Sequence, residues 1–319
     1  MKHTLLIISL LILSVGFSQQ KKSDEPNPMK GVKTQTRLEY NYEEKFGEFK
    51  EYLVSKTLRN YVKNGNLSDR YEYGSDGKLN TKIIYKYDSN GNEVESSNYD
   101  SDGSLDYKSS YKYDSNGNEV EQSYYDSEGN LSENVFGISK FIFKYDSNGN
   151  QVEWSIYDSE GNLMENFIGV SKIISKYDTN GNIVEWSNYD SEGNLTQSLL
   201  YVSKTTFKYD TNGNIVEWSD YGLDEKLNSK TTNKYDSNGN KVEESRYYGS
   251  LTSKYIYKYD SNGNKVEESR YYGSLTSKYI YKYNTKNRII ESIEYKYELK
   301  FGELQQIPTS KTTYDYVEY

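Results

Sequence analysis

Short stretches in which apolar and polar residues alternate recur along most of this chain. In Lys140–Tyr145 the odd positions Phe141, Phe143 and Tyr145 fall on one face, while Lys140, Ile142 and Lys144 fall on the other. A period of two is the mark of a half-buried β-strand. The tyrosines ahead of each turn set the register. One turn class follows Tyr61, Tyr87, Tyr113, Tyr145, Tyr177, Tyr209, Tyr235, Tyr259 and Tyr283. A second follows Tyr73, Tyr99, Tyr125, Tyr157, Tyr189, Tyr221, Tyr247 and Tyr271. Steps from first to second class are 12 residues, and return steps are 14, 20 or 12. Every step is even, so no insertion turns the apolar face toward water.

The first turn class reads mostly Asp-Ser-Asn-Gly. Its aspartates and glycines are Asp88 and Gly91, Asp114 and Gly117, Asp146 and Gly149, Asp178 and Gly181, Asp210 and Gly213, Asp236 and Gly239, and Asp260 and Gly263. Asp opens a type I turn because its carboxylate accepts from amides further along, and Gly takes the positive φ that closes the loop. These are structural assignments. A four-residue loop places Tyr145 opposite Asn150, Phe143 opposite Val152 and Phe141 opposite Trp154, with Glu153 and Ser155 on the other face. Lys234–Lys258 and Lys258–Lys282 are identical copies in which Tyr272-Gly273 is expected to make a two-residue turn. In them the inward face carries Tyr255, Tyr257, Tyr259 and Val266, and the outward face Lys254, Lys258, Lys265 and Glu267.

Tyr-Asp-x-x-Gly at Tyr99–Gly103, followed by Tyr-x-Tyr-Asp-x-x-Gly at Tyr111–Gly117, resembles the YD repeats of the RHS family over about residues 60–297. The resemblance implies a β-hairpin ribbon winding into a spiral or shell, which in large relatives encloses a toxin domain or forms an adhesive cell-surface body. The expected fold is all-β: a single elongated, curled antiparallel meander, a YD-repeat-like β-solenoid or open shell of roughly 18–20 strands. Lys2, the apolar run Leu5–Val15 and Gly16-Phe17-Ser18 read as a signal peptide over 1–18. Residues 19–36 read as a flexible leader and 37–319 as the repeat domain. Its end units, 37–60 and 295–319, share Lys-Phe-Gly-Glu and Ser-Lys-Thr and look like related terminal repeats.

Composition narrows the chemistry. The net charge of −9 disfavours nucleic acid and anionic membranes as partners. There is no cysteine, and the single histidine, His3, lies in the signal. Triads, thiol catalysis and His or Cys metal sites are therefore excluded from the mature chain. No enzyme, cofactor or metal site is expected, and the Asp-Ser-Asn-Gly loops lack the Gly and Glu spacing of an EF-hand. The protein is expected in the periplasm or outside the cell, neither a lipoprotein nor membrane-spanning after signal removal.

Trp154, Trp186 and Trp218 occupy equivalent places in successive 32-residue units, each after one of the longer segments Asn130–Lys140, Asn162–Lys172 and Asn194–Lys204. Those segments are expected to protrude. The tryptophans are the candidate binding residues, with packing over a local apolar patch the stronger reading. Function is read as an exported, non-enzymatic scaffold or interaction surface; its partner is not specified by the sequence, a protein or a glycan being the candidates. The alternatives are a carbohydrate-binding or adhesive module, and a shell related to toxin-enclosing RHS proteins.

Overall fold

The computed structural model describes residues 27–134, 137–166, 169–300 and 302–319. The expected signal and residues 19–26 of the expected leader lie outside the described residues. Twenty strands follow one another, with no helix among the described residues. The first six are β1 (Val32–Lys45), β2 (Glu48–Tyr61), β3 (Leu67–Gly74), β4 (Leu79–Tyr87), β5 (Glu93–Tyr99) and β6 (Leu105–Tyr113). Then come β7 (Glu119–Asp126), β8 (Lys140–Tyr145), β9 (Gln151–Tyr157), β10 (Lys172–Tyr177), β11 (Ile183–Tyr189), β12 (Lys204–Tyr209) and β13 (Ile215–Tyr221). The rest are β14 (Leu227–Tyr235), β15 (Lys241–Tyr248), β16 (Ser250–Tyr259), β17 (Lys265–Tyr272), β18 (Ser274–Tyr283), β19 (Ile289–Lys300) and β20 (Glu303–Glu318). β1 starts inside the span expected to be leader, because Val32 is fully buried and pairs with Glu318.

Each strand pairs antiparallel with the next, and β1 also pairs with β20, from Thr34 opposite Val317 to Asn41 opposite Ser310. The sheet is therefore a closed twenty-stranded barrel, not the open solenoid or shell expected from the sequence. An open ribbon would leave two rows of unpaired amides and carbonyls, and closure removes both edges. The strands joined at this seam belong to the two end units that share Lys-Phe-Gly-Glu. At about 4.8 Å per strand the perimeter is about 95 Å, equivalent to a circle roughly 30 Å across.

The first-class hairpins differ from the expected register. The Asp146 amide donates to the Asn150 carbonyl and the Gly149 amide to the Asp146 carbonyl, so the loop is the three residues Ser147, Asn148 and Gly149. Gly149 has φ 82°. Tyr145 then faces Gln151, and a bulge at Val152 restores parity, placing Lys144 opposite Glu153, Phe143 opposite Trp154 and Phe141 opposite Ile156. A three-residue loop without the bulge would set Phe143 against Glu153. The bulge instead gathers aromatics with aromatics and Lys with Glu, which is the stronger pairing on both faces. The turn at Gly273 also differs: Tyr271 lies opposite Leu275 and Tyr272 opposite Ser274, so Gly273 alone separates the strands where a two-residue Tyr272-Gly273 turn was expected, and a bulge again restores parity.

Each bulge is capped by the next hairpin. The Tyr145 hydroxyl donates to the Glu119 carbonyl, Tyr177 to Gln151 and Tyr209 to Ile183. The same bond recurs at Tyr87, Tyr113, Tyr235, Tyr259, Tyr283 and Tyr316, always at 2.7–2.9 Å. These phenols satisfy carbonyls at the start of every second strand, where the ladder is irregular.

The longer segments do not all protrude. Ile138 and Val170 fold back to join Phe143, Trp154, Ile156 and Ile173 in the apolar core. Asn134 and Asn166 hold these returns by accepting the Ile138 and Val170 amides at 3.1 Å. Burying an apolar side chain against the aromatic wall outweighs leaving it in a surface loop. The third segment keeps Leu199 and Tyr201 exposed.

Candidate functional site

The two faces of the wall carry different chemistry. On the outer face Lys86, Lys112, Lys144, Lys176, Lys208, Lys234, Lys258 and Lys282 each meet a glutamate of the neighbouring strand at 2.6–2.9 Å. These lysines are 60–70% exposed. Several of the glutamates are flanked by a second lysine, as Glu243 is by Lys254 at 2.8 Å. Such exposed pairs contribute only tenths of a kcal/mol each, roughly. Their weight is in hydration: charge recurs around the wall.

The inner face has an aromatic sector and a charged sector. Trp154 is buried between Phe143 and Ile173. Trp186 packs edge-on against Phe207 at 4.9 Å and touches the same core. Trp218 lies opposite Phe207 and Thr231, half-buried. All three tryptophans therefore face inward, on β9, β11 and β13.

Five of the six arginines, Arg37, Arg59, Arg70, Arg246 and Arg270, lie on the inner face of the remaining wall, which runs from β15 through the seam to β3. The sixth, Arg288, sits at the rim against Glu318. Arg246 stacks 4.8 Å over Tyr255 and Arg270 4.3 Å over Tyr279, while Glu244 and Glu268 balance their charges. Planar guanidinium stacks on a phenol face where an ammonium is better left in water, so Arg lines the inside and Lys mostly the outside. Lys265 is an exception and corrects its outward assignment. It turns inward over Tyr257 and Tyr281 and pairs with Glu268 at 2.8 Å.

Sequence reading missed Glu93 and Glu119. Both sit beside bulges on the inner face near Tyr111 and Tyr113, with no ion pair among the described residues. Burial raises the Glu119 carboxyl to about 7, and the Glu93 charge adds to the effect. Glu93 is raised as well, also by burial. Because the folded form holds its proton between about 4.5 and about 7, the stability it contributes is complete below about 4.5 and is lost as pH rises through about 7. Glu119→Gln is thus expected to stabilise the barrel by about 1–2 kcal/mol at pH 8 and to change little at pH 4.5. Calorimetric melts across that range check this, and a pH-independent difference would contradict it.

At one end of the barrel two hairpins extend past the wall. β2 pairs with β3 only from Ser55 onward, and β1 leaves β20 after Asn41. Residues 42–54 and 297–309 therefore have neighbours on one side only. Their tips carry Phe46, Tyr52, Leu53, Leu299 and Leu304, all exposed, whereas Phe301 lies outside the described residues. Lys300 reaches Glu44 at 3.3 Å between the tips. A cleft of about 380 Å³ lies between them, lined in part by Tyr42, Phe49, Lys300 and Pro308.

The turn aspartates are spent on their own loops. In every first-class turn named above, Oδ1 accepts the amides two and four residues on, as from Asn148 and Asn150 to Asp146 at 2.9 and 2.8 Å. The paired glycines all have φ of 81–84°. The Asn150 side chain and amide hold the Asp146 carboxyl below its ordinary range.

No protein-family model and no curated protein matches the sequence. Among solved structures, a porin-like protein from Bacteroides uniformis aligns over 92% of this chain and 99% of its own, at 10% identity and a TM-score of 0.36. A structure titled TcdB2-TccC3-Cdc42 aligns over 80% of this chain at 14% identity and a TM-score of 0.33. The chain spans 15% of that protein's length. The Photorhabdus luminescens Tc holotoxin pore aligns over 81% of this chain and 17% of its own, at 12% identity and a TM-score of 0.25. The YD-repeat resemblance rests on the motif residues alone.

Proposed function

We propose that this chain is a non-enzymatic, exported β-barrel that stands in water and acts as a rigid interaction scaffold, with the paired hairpin tips as its contact surface. The observation that carries the reading is the Lys–Glu ladder on the outer wall. A barrel in lipid presents an apolar band, and a lysine at the bilayer midplane costs about 2–4 kcal/mol. Eight lysine rungs make this wall unsuited to lipid. Export is supported by the Lys2 to Ser18 segment. The absence of imidazole and thiol beyond His3 supports a non-enzymatic role. The inward tryptophans take support from an outer sugar platform. The tips, with open backbone edges and exposed Phe and Leu, suit the addition of an extended strand from a partner.

Purified without detergent, the protein is expected to remain monodisperse and to stay unbound when floated with vesicles of phosphatidylethanolamine and phosphatidylglycerol. Single-cysteine variants Phe46→Cys and Leu304→Cys carrying a photo-crosslinker should give partner adducts on source cells that Lys144→Cys on the wall does not. Vesicle insertion, bilayer conductance, or adducts from the wall in preference to the tips would overturn the reading.

A further inference from the structure

The inner wall beside the seam holds three arginines on adjacent strands. Arg59 on β2 lies directly opposite Arg70 on β3, and Arg37 on β1 faces Thr57, one step along the same face of β2. Like charges set directly across a ladder repel, and a folded wall normally avoids the arrangement. Two carboxylates answer the three cations: Glu39 pairs with Arg37 and Glu72 with Arg70. Arg59 pairs with no carboxylate among the described residues. Its Nη1 donates to the amide oxygen of Gln35 at 3.0 Å, and burial together with Arg70 and Arg37 works against its charge. The Nε of Arg70 is buried without a hydrogen-bond partner. The other groups on this face are Glu93, which acts on Tyr85 but makes no ion pair with the three arginines and is raised by burial, and the phenols Tyr61, buried beside Gln35, Tyr85, Tyr314 and Tyr316. No carboxylate on this face reaches Arg59 to form an ion pair among the described residues.

Arg246 and Arg270, further round the barrel, show the contrast. Each is stacked on tyrosine and bound by its own glutamate, and neither opposes another arginine. The cluster at the seam is instead left with one positive charge in excess, an unsatisfied N–H, and side chains of Arg37 and Arg70 that are 29% and 33% exposed.

We infer that Arg37, Arg59 and Arg70 form an oxyanion-binding site on the inner wall, one that takes a tetrahedral phosphate or sulfate group. Guanidinium forks match such oxygens in pairs, and a doubly charged anion would cancel the repulsion between Arg59 and Arg70. Free anion and the same group on a larger sugar or nucleotide share this chemistry.

The test is calorimetric titration of the full chain with inorganic phosphate and with sulfate at constant ionic strength in chloride, followed by glucose 6-phosphate. Saturable heat with one site is expected, weakened about tenfold or more in Arg59→Gln and kept in Arg246→Gln. Arg59→Lys, which keeps the charge and loses the fork, is expected to fall between them. Tighter binding of the sugar phosphate than of free phosphate would identify a larger ligand; equal binding would identify the anion itself. Either result supports the site. Absence of saturable heat up to 50 mM, or equal binding by Arg59→Gln, would overturn it. Arg59→Gln should also melt higher than wild type in chloride buffer, because it removes the uncompensated charge, so a folded protein is available for the comparison.

Discussion

Leu38→Pro is expected to open the barrel. Leu38 lies mid-seam, opposite Lys56 on one side and Thr313 on the other. Proline there has no N–H for the ladder and its ring disturbs both neighbours, a cost of about 3 kcal/mol or more. The loss goes beyond one bond, since a parted seam exposes two long edges at once and invites pairing between molecules. Size-exclusion chromatography should show oligomers or aggregate, and amides of Thr34–Asn41 and Ser310–Val317 should lose protection from exchange. Phe46→Gly in the same hairpin is the control. Phe46 is fully exposed at φ 57°, a backbone shape that glycine adopts without strain, so this variant should stay within about 0.5–1 kcal/mol of wild type. If Leu38→Pro stays monomeric with a protected seam, the closure is not what holds the fold.

Trp154→Ala should be the most damaging change among the three tryptophans, at about 3–5 kcal/mol. Trp154 is 5% exposed, with its ring 5.8 Å from Phe141 and tilted 60° to it, in a core that includes Ile138 and Val170. Trp186 and Trp218 are half-buried and leave smaller cavities. Urea midpoints for the three variants give the order. Equal and small losses would mean that stability is spread evenly along the wall rather than concentrated at β8–β10.

The alternation that sorts Phe141, Phe143 and Tyr145 from Lys140 and Lys144 made strands, faces and parity legible from the residues alone. Register was not, because it depends on where the chain inserts one unpaired residue. Val152 reads as an ordinary inward strand residue, and only the combined preference of Lys144 for Glu153 and Phe143 for Trp154 reveals the bulge. Closure was hidden for a different reason. It joins residues about 280 positions apart, and no local pattern specifies that contact. The shared Lys-Phe-Gly-Glu and Ser-Lys-Thr of the two end units was the available signal, since units so alike can form a matched pair. The inner charged sector was hidden by its scarcity. Six arginines scattered among 319 residues form no motif, and five share one wall only when the ring is closed. Of the three sequence-picked tryptophans, the structure brings Trp154 and Trp186 into one core and leaves Trp218 beside Phe207. It places Glu93 and Glu119, which no pattern had marked, on the same inner wall near the turns.

The duplicated unit acquires a different meaning in a closed ring. Lys234–Lys258 and Lys258–Lys282 each contribute one strand pair, and antiparallel closure between first and last strands survives only when the total is even. Copying or losing a whole unit keeps that parity, keeps the Lys–Glu rungs in step, and leaves the terminal hairpins free to meet. Each added copy lengthens the circumference by about 9.6 Å and widens the bore by about 3 Å. Unequal crossing-over in the gene thus becomes a dial for calibre, turned in fixed clicks, with the mating ends carried along unchanged.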